Sequence, residues 1–165
     1  MVLGWSKIEW AVEEGSDSKM NNRDGSMLRL RTNDTSYSDL VLVNGPGALV
    51  YVSGQLAFNE ARQIVGETVR DQVGICFDRI QALLTQVGGD LTDVIRITTY
   101  LADLEGYPDF DVVRAARFGE HRPASTAVGV AGLLFGALVE IEAIAFIPGT
   151  DLRGREQGPS LSPSK

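Results

Sequence analysis

The sequence predicts a single α+β domain in which two helices pack on one face of a β-sheet. Strand-like runs rich in β-branched residues come before, between and after two stretches of helical periodicity. A length of 165 residues suits one domain. The composition, 44% hydrophobic and 22% charged, is that of an ordinary globular protein. The expected order is therefore a strand pair, a helix, a strand, a second helix and two final strands.

The N-terminal part contains a polar loop and three predicted strands. Residues 13–26 are rich in turn formers, and the alternating stretch 27–31 predicts an edge strand. Two β-branched runs, 40–43 and 49–53, lie on either side of the sequence Asn-Gly-Pro-Gly. This arrangement predicts a β-hairpin.

Two helices follow from the spacing of apolar residues. Over 67–87 the apolar residues recur every three or four positions, at Val69, Val73, Phe77, Ile80, Leu84 and Val87. The Gly88-Gly89 pair supplies the left-handed stop that such helices favour. Cys76 lies beside this stripe, where a small core residue is expected. A second helix is predicted over 108–121, with acidic residues first and basic residues last, as the helix dipole prefers.

The final two strands are predicted at 125–130 and 138–147, and the last one has two different faces. Alternation places only apolar residues on one face, which should contact the helices. The other face mixes carboxylates with apolar residues: Leu138, Glu140, Glu142, Ile144 and Phe146. Either this face is open to solvent, or it is a subunit interface whose carboxylates line a cleft. Alternation alone leaves both interpretations open.

Composition also argues against several functional classes. Lys and Arg total 15 against 22 Asp and Glu, and the net charge of −7 disfavours binding to nucleic acids or anionic membranes. With one cysteine and one histidine, neither an internal disulfide nor a Cys/His zinc site is expected, and no motif predicts a metal or another cofactor. The longest apolar stretch, 124–139, is shorter than the roughly 20 residues of a membrane helix. The N-terminus has no secretory pattern, so a cytoplasmic location is expected.

Five segments together resemble a known family. They are Tyr51-Val-Ser-Gly-Gln, Gln72, and the stretches 88–104, 122–133 and 136–145. In this order they resemble the RidA/YjgF (Rid) family of small imine and enamine deaminases, over about Leu40 to Ile147. The chain then divides into an N-terminal arm (1–36), a RidA/YjgF-like domain (37–148) and a C-terminal tail (149–165) whose composition is typical of disorder.

The resemblance implies a fold, an assembly and a reaction. The fold would be chorismate-mutase-like, with a mixed or antiparallel sheet, and three copies would form a homotrimer around a central β-barrel. Ligand clefts would lie between subunits. The reaction would add water to a 2-imino acid or its enamine tautomer and release ammonia and a 2-keto acid, without a cofactor.

The resemblance also assigns candidate site residues. Glu140, which would activate the water, and Ser53 match the family. Three other pocket positions differ from the family's tyrosine, asparagine and cysteine: Leu40, Asp111 and Ala127.

Ser125 stands where the family has the arginine that holds the substrate carboxylate. A hydroxyl does not replace the bidentate guanidinium, so simple 2-imino acids should bind poorly. Arg122, three residues earlier, is either a substitute cation or an ordinary surface arginine.

Three functional hypotheses remain. The first is a divergent Rid-family enzyme that acts on an imine, an enamine or a related small molecule, with a neutral or larger substrate. The alternative is a non-catalytic trimer that binds a small molecule or has a regulatory role. A ribonuclease or translation inhibitor is less supported, because the chain is acidic and has a single histidine, His121.

Overall fold

The computed structural model describes residues 27–30 and 35–149. The strands and helices, in chain order, are β1 (Met27–Leu30), β2 (Leu40–Val43), β3 (Gly47–Gln55), α1 (Val69–Gln86), β4 (Val94–Leu101), α2 (Tyr107–Phe118), β5 (Ala124–Gly129) and β6 (Val139–Pro148). The predicted arm and tail therefore lie mostly outside the described residues. Within the described residues, no helix is long and apolar enough to cross a bilayer.

The main sheet has four strands in the order β3-β6-β4-β5. β6 is antiparallel to both β3 and β4, whereas β4 and β5 are parallel. Both helices contribute side chains to one buried core with the sheet, and the rings of Phe77 in α1 and Phe118 in α2 lie 5.3 Å apart. The predicted combination of two helices with a mixed sheet is confirmed.

The predicted hairpin between the first two strong strand signals is wrong. β2 pairs with β1, and β3 pairs instead with β6, from Gly47 opposite Pro148 to Gln55 opposite Ile141. The partner of β3 is a long strand whose core-facing residues are small or apolar, and helix α1 packs on this strand pair. The predicted edge strand near 27–31 is confirmed as β1.

Helix α1 is close to its predicted bounds. It begins after Thr68, which forms a capping box with Asp71, and Gly88 follows its end with a positive φ of 83°. Helix α2 ends three residues earlier than predicted, because Gly119 adopts a φ of 52° there. His121 therefore lies beyond the helix.

The alternation predicted for the last strand is confirmed. Val139, Ile141, Ala143 and Ala145 are buried in the core, whereas Glu140 and Glu142 on the opposite face are only partly covered. We call this opposite side of the four-stranded sheet the open face. Its position follows directly from the packing of the helices on the other side.

Two adjacent leucines of α1 test this packing. Leu84 is fully buried, whereas Leu83 is 40% exposed. Leu84→Ala is expected to lower the free energy of unfolding by about 2–5 kcal/mol, because it leaves a cavity in the core. Leu83→Ala should cost less than about 1 kcal/mol. Urea titrations of both variants measure the difference, and equal losses would contradict this placement of the helix.

Candidate functional site

The open face combines carboxylates with exposed apolar side chains. Glu140 lies opposite Tyr100 of β4, and Glu142 lies opposite Thr98. The negative charge of Glu142, followed by partial desolvation and a hydrogen bond to Glu142, raises the pKa of Tyr100, and Glu140 adds to the effect. The face also exposes Leu49, Tyr51 and Val128. Large apolar side chains exposed on both edge strands of one sheet face are typical of an interaction surface.

The Glu140 carboxylate lies across the backbone of Gly54. A β-carbon on Gly54 would lie 1.9 Å from Glu140 Oε1, so a larger residue at this position would force the end of the Glu140 side chain to move. The pairing of β3 with β6 is irregular between Val52 and Gln55, which bends the strand at this point. Exposed Ser53 precedes Gly54, so the structure brings two predicted site residues, Glu140 and Ser53, to the same end of β3.

A hydrogen-bonded group supports this end of β3 from the helix side. The Cys76 thiol donates to the Gln55 carbonyl (3.1 Å), and Arg79 Nε donates to Gln55 Oε1 (3.2 Å). The Gln55 side chain in turn donates to the Ser53 carbonyl (2.9 Å). Burial raises the pKa of Cys76 to about 12, with Arg79 opposing this and Glu140 adding to it. Cys76 is therefore a protonated structural thiol and not a nucleophile.

Ser125 lies in a second group, on the helix side of the sheet. It is aligned with the buried Ile97, and its hydroxyl oxygen accepts from Arg114 Nη1 at 2.5 Å. Arg114 Nη2 also donates to the Ser36 hydroxyl (2.7 Å) and forms an ion pair with Asp111. Two predicted pocket residues, Ser125 and Asp111, are thus joined by an arginine that the sequence analysis missed.

Arg114 is 1% exposed although it is charged. Its guanidinium carbon lies 4.9 Å from the centre of the Phe110 ring and 5.1 Å from that of Tyr37. A signal for this role was present in the sequence: Phe110, Arg114 and Phe118 are spaced by four and share one helix face. An arginine between two aromatic residues on a core-facing stripe indicates a buried, paired charge.

The remaining predicted site residues lie elsewhere. Arg122 donates to the carbonyls of Gly119 (3.1 Å) and Thr35. Ala127 packs partly buried against the hydrophobic core. Leu40 is 46% exposed in β2, opposite Leu30. None of these contacts places the three side chains beside Glu140.

Ser125 and Glu140 of one copy are too far apart to bind one small molecule together. Ser125 is level with Ile97 and Ala143, so Glu140 lies two strands across and three residues along the sheet. With strands about 4.8 Å apart and a rise of about 3.3 Å per residue, their Cα atoms are separated by about 14 Å. The two side chains also lie on opposite faces. A cleft that uses both residues therefore requires a neighbouring copy.

Comparison with known proteins identifies similar families and structures. A family model described as endoribonuclease L-PSP matches residues 31–147. A RutC family protein of Pyrococcus abyssi is 35% identical over 67% of this chain and 85% of its own length. A 2-iminobutanoate/2-iminopropanoate deaminase of Bos taurus is 36% identical over 66% of this chain and 78% of its own length. The crystal structure of RidA from the Antarctic bacterium Psychrobacter sp. PAMC 21119 matches with a TM-score of 0.58 and 35% identity, covering 72% of this chain and 94% of that one.

Replacing Arg114 tests its structural role. Arg114→Ala is expected to lower the free energy of unfolding by about 3 kcal/mol, because it removes the contacts with Ser125 and Ser36 and leaves Asp111 without its counter-charge. Arg117→Ala, in the same helix, is the matched control because Arg117 forms an exposed pair with Asp78. It should cost at most about 1 kcal/mol. Thermal and urea unfolding measure both, and similar losses would show that the Arg114 contacts add nothing.

Proposed function

This chain belongs to the RidA/YjgF family, whose family model is described as endoribonuclease L-PSP, and we propose that it is a divergent enzyme of that family which hydrolyses an imine or enamine in clefts between copies. The observation that carries the proposal is the Glu140 carboxylate, held over Gly54 beside the exposed Ser53. A relative of the chain carries the name of an imine deaminase. The position of this carboxylate and the name of the relative support a role of Glu140 in proton transfer.

Glu140 is the proposed base for the attack of water. Water adds to the carbon of the C=N bond while the carboxylate accepts a proton from it and passes a proton to the nitrogen. Cleavage of the C–N bond then gives a carbonyl compound and ammonia, so the net reaction consumes one water. Glu142 lies on the same face, and the raised pKa of Tyr100 reports the negative potential there. Such a potential stabilises the protonated imine, which is the more electrophilic form.

Ser125 limits the class of substrate. Its hydroxyl is already hydrogen-bonded to Arg114, so β5 offers a small substrate carboxylate no free guanidinium at this position. Loss of one charge-assisted hydrogen bond costs about 1.5–3 kcal/mol, or one to two orders of magnitude in affinity. The proposed substrate is therefore neutral, or larger than the simple 2-imino acids.

A homotrimer with a central barrel belongs to the same proposal. Leu49 and Tyr51 are 52% and 74% exposed on the open face. β3 is nine residues long and lies at the edge of the four-stranded sheet. An edge strand with apolar side chains favours association with another chain. Association would also bring the Glu140 of one copy towards residues of another.

A non-catalytic trimer that binds a small molecule is the second candidate. It is favoured by Ser125, because a chain that has lost the family's arginine has lost a contact with the substrate. A metabolite at 100 times its dissociation constant would add about 2.7 kcal/mol of stability without turnover. Ribonuclease activity is less supported, since the net charge of −7 opposes binding of RNA. A cytoplasmic location remains a prediction.

The proposed base is tested with imines made in the assay by an amino-acid oxidase from small and large amino acids, and by an amine oxidase from primary amines so that neutral imines are included. Glu140→Gln is expected to lower kcat by at least about 100-fold, since it removes the proton acceptor. Glu105→Gln, in an exposed turn, is the control and should leave kcat unchanged. The release of ammonia and of the carbonyl product measures the rate. Wild-type rates no faster than the uncatalysed reaction across all substrates would overturn the enzymatic proposal.

A second pair of variants separates the position of the carboxylate from its presence. Gly54→Ala should reduce activity less than Glu140→Gln does, because the new methyl group forces Glu140 Oε1 to move but the carboxylate is retained. Gly132→Ala is the matched control, since its added methyl group meets nothing within 4 Å.

The assembly is tested by sedimentation. The wild-type protein is expected to have three times the chain mass of 17.8 kDa at micromolar concentration. Tyr51→Glu should shift it towards the monomer, because it places a charge on the proposed interface. Val112→Glu, which changes a half-exposed residue of α2, should remain trimeric. A well-folded monomer of the wild type would contradict the proposed clefts.

A further inference from the structure

A pocket of about 420 Å³ lies where the chain leaves β3. Its lining includes Gly54, Gln55, Phe58, Glu60, Arg62 and Arg79. Because the Glu140 carboxylate lies against Gly54, the pocket is adjacent to the proposed base. Gly54 therefore lies between the Glu140 carboxylate and a cavity large enough for a small organic molecule.

Two arginines flank the aromatic ring in this pocket. The guanidinium carbons of Arg62 and Arg79 lie 5.8 and 5.9 Å from the centre of the Phe58 ring. Within the described residues, neither forms an ion pair with a carboxylate. Arg79 uses Nε to hold Gln55, and its Nη1 makes only a 3.5 Å contact with the Phe58 carbonyl. Glu60 in the lining and the adjacent Glu140 balance the two arginine charges overall, but the positive charge is concentrated around the Phe58 ring.

The backbone is also arranged around the Phe58 ring. Arg62 and Phe135 have φ values of 58° and 59°, and they are the two non-glycine residues with positive φ in the described part of the chain. Both contact Phe58: Arg62 by its guanidinium, and Phe135 by an edge-on ring contact at 5.5 Å. Non-glycine residues rarely adopt this conformation, and such positions cluster at ligand-binding sites. Here both converge on one ring.

We propose that this pocket binds an organic monocarboxylate, with the carboxylate between Arg62 and Arg79 and a flat apolar part against Phe58 and Phe135. Two guanidiniums in a site that is neutral overall suit one carboxylate better than a phosphate dianion. The proposal rests on the proposed function, because it names the substrate class of the site that contains Glu140. The positive charge that is missing at Ser125 is then supplied by Arg79 of α1 and by Arg62 in the loop after β3.

The test compares benzoate with benzamide, which has nearly the same shape without the charge. Isothermal titration at constant ionic strength is expected to show that benzoate binds at least about 10-fold more tightly than benzamide. Arg62→Gln and Arg79→Gln should each weaken benzoate binding by about 10-fold and leave benzamide unchanged. Arg70→Gln is the matched control on α1, because Arg70 forms an exposed pair with Asp109.

Equal affinity for the two compounds, or arginine variants that bind benzoate like the wild type, would overturn the proposal. Arg79→Gln also removes the hydrogen bond to Gln55, so the exposed Arg62 decides the result if that variant unfolds.

Two outcomes separate the carboxylate site from the proposed enzymatic activity, for which Glu140→Gln is the variant without the proposed base. Arginine-dependent binding of benzoate without turnover of any imine would refute only the enzymatic activity. Turnover of carboxylate-bearing imines that Arg62→Gln leaves unchanged would refute only the carboxylate site.

Discussion

The two-residue alternation of β6 is the constraint on which the rest of the structure depends. β6 lies between β3 and β4, and its apolar face packs against α1 in a core to which both helices contribute. A slip of one residue would turn Glu140 and Glu142 into the core, where an unpaired carboxylate is very unfavourable. The packing that folds the domain therefore also fixes two carboxylates on the open face. Fold and candidate chemistry share one physical cause.

Arg114 gives a physical reason for the serine at position 125. The guanidinium of Arg114 already occupies the helix side of β5, where it is bonded to Ser125 and paired with Asp111. A second arginine at position 125 would bring two like charges together in a buried region. A hydroxyl, in contrast, accepts the hydrogen bond. The hydrogen bond from α2 therefore accounts for a hydroxyl, and not a second guanidinium, at this position of β5.

Patterns with a strong period were predictable from the sequence, whereas long-range pairing and isolated charges were not. The stripe of α1 and the two faces of β6 were predicted because each depends on local spacing. The hairpin was wrong because β-branched runs near a Gly-Pro turn do not encode the partner of β3, which lies about a hundred residues later. Arg79 and Arg62 were missed because a lone arginine on a helix or loop resembles a solvated residue until its neighbours are known. The Glu140–Gly54 contact likewise depends on two strands that are distant in sequence.

An assembly that covers the open face would gain free energy from apolar burial and lose it through repulsion between carboxylates. Burial of Leu49 and Tyr51 favours association, while Glu140 and Glu142 of each copy would be brought closer to those of the others. Arg96, exposed on β4 of the same face, is the counter-charge that each copy contributes. Two glutamates and one arginine leave each copy with one negative charge on this face. A closed assembly would therefore keep a negative interior, and a cationic imine entering it would meet a favourable potential before it reached Glu140.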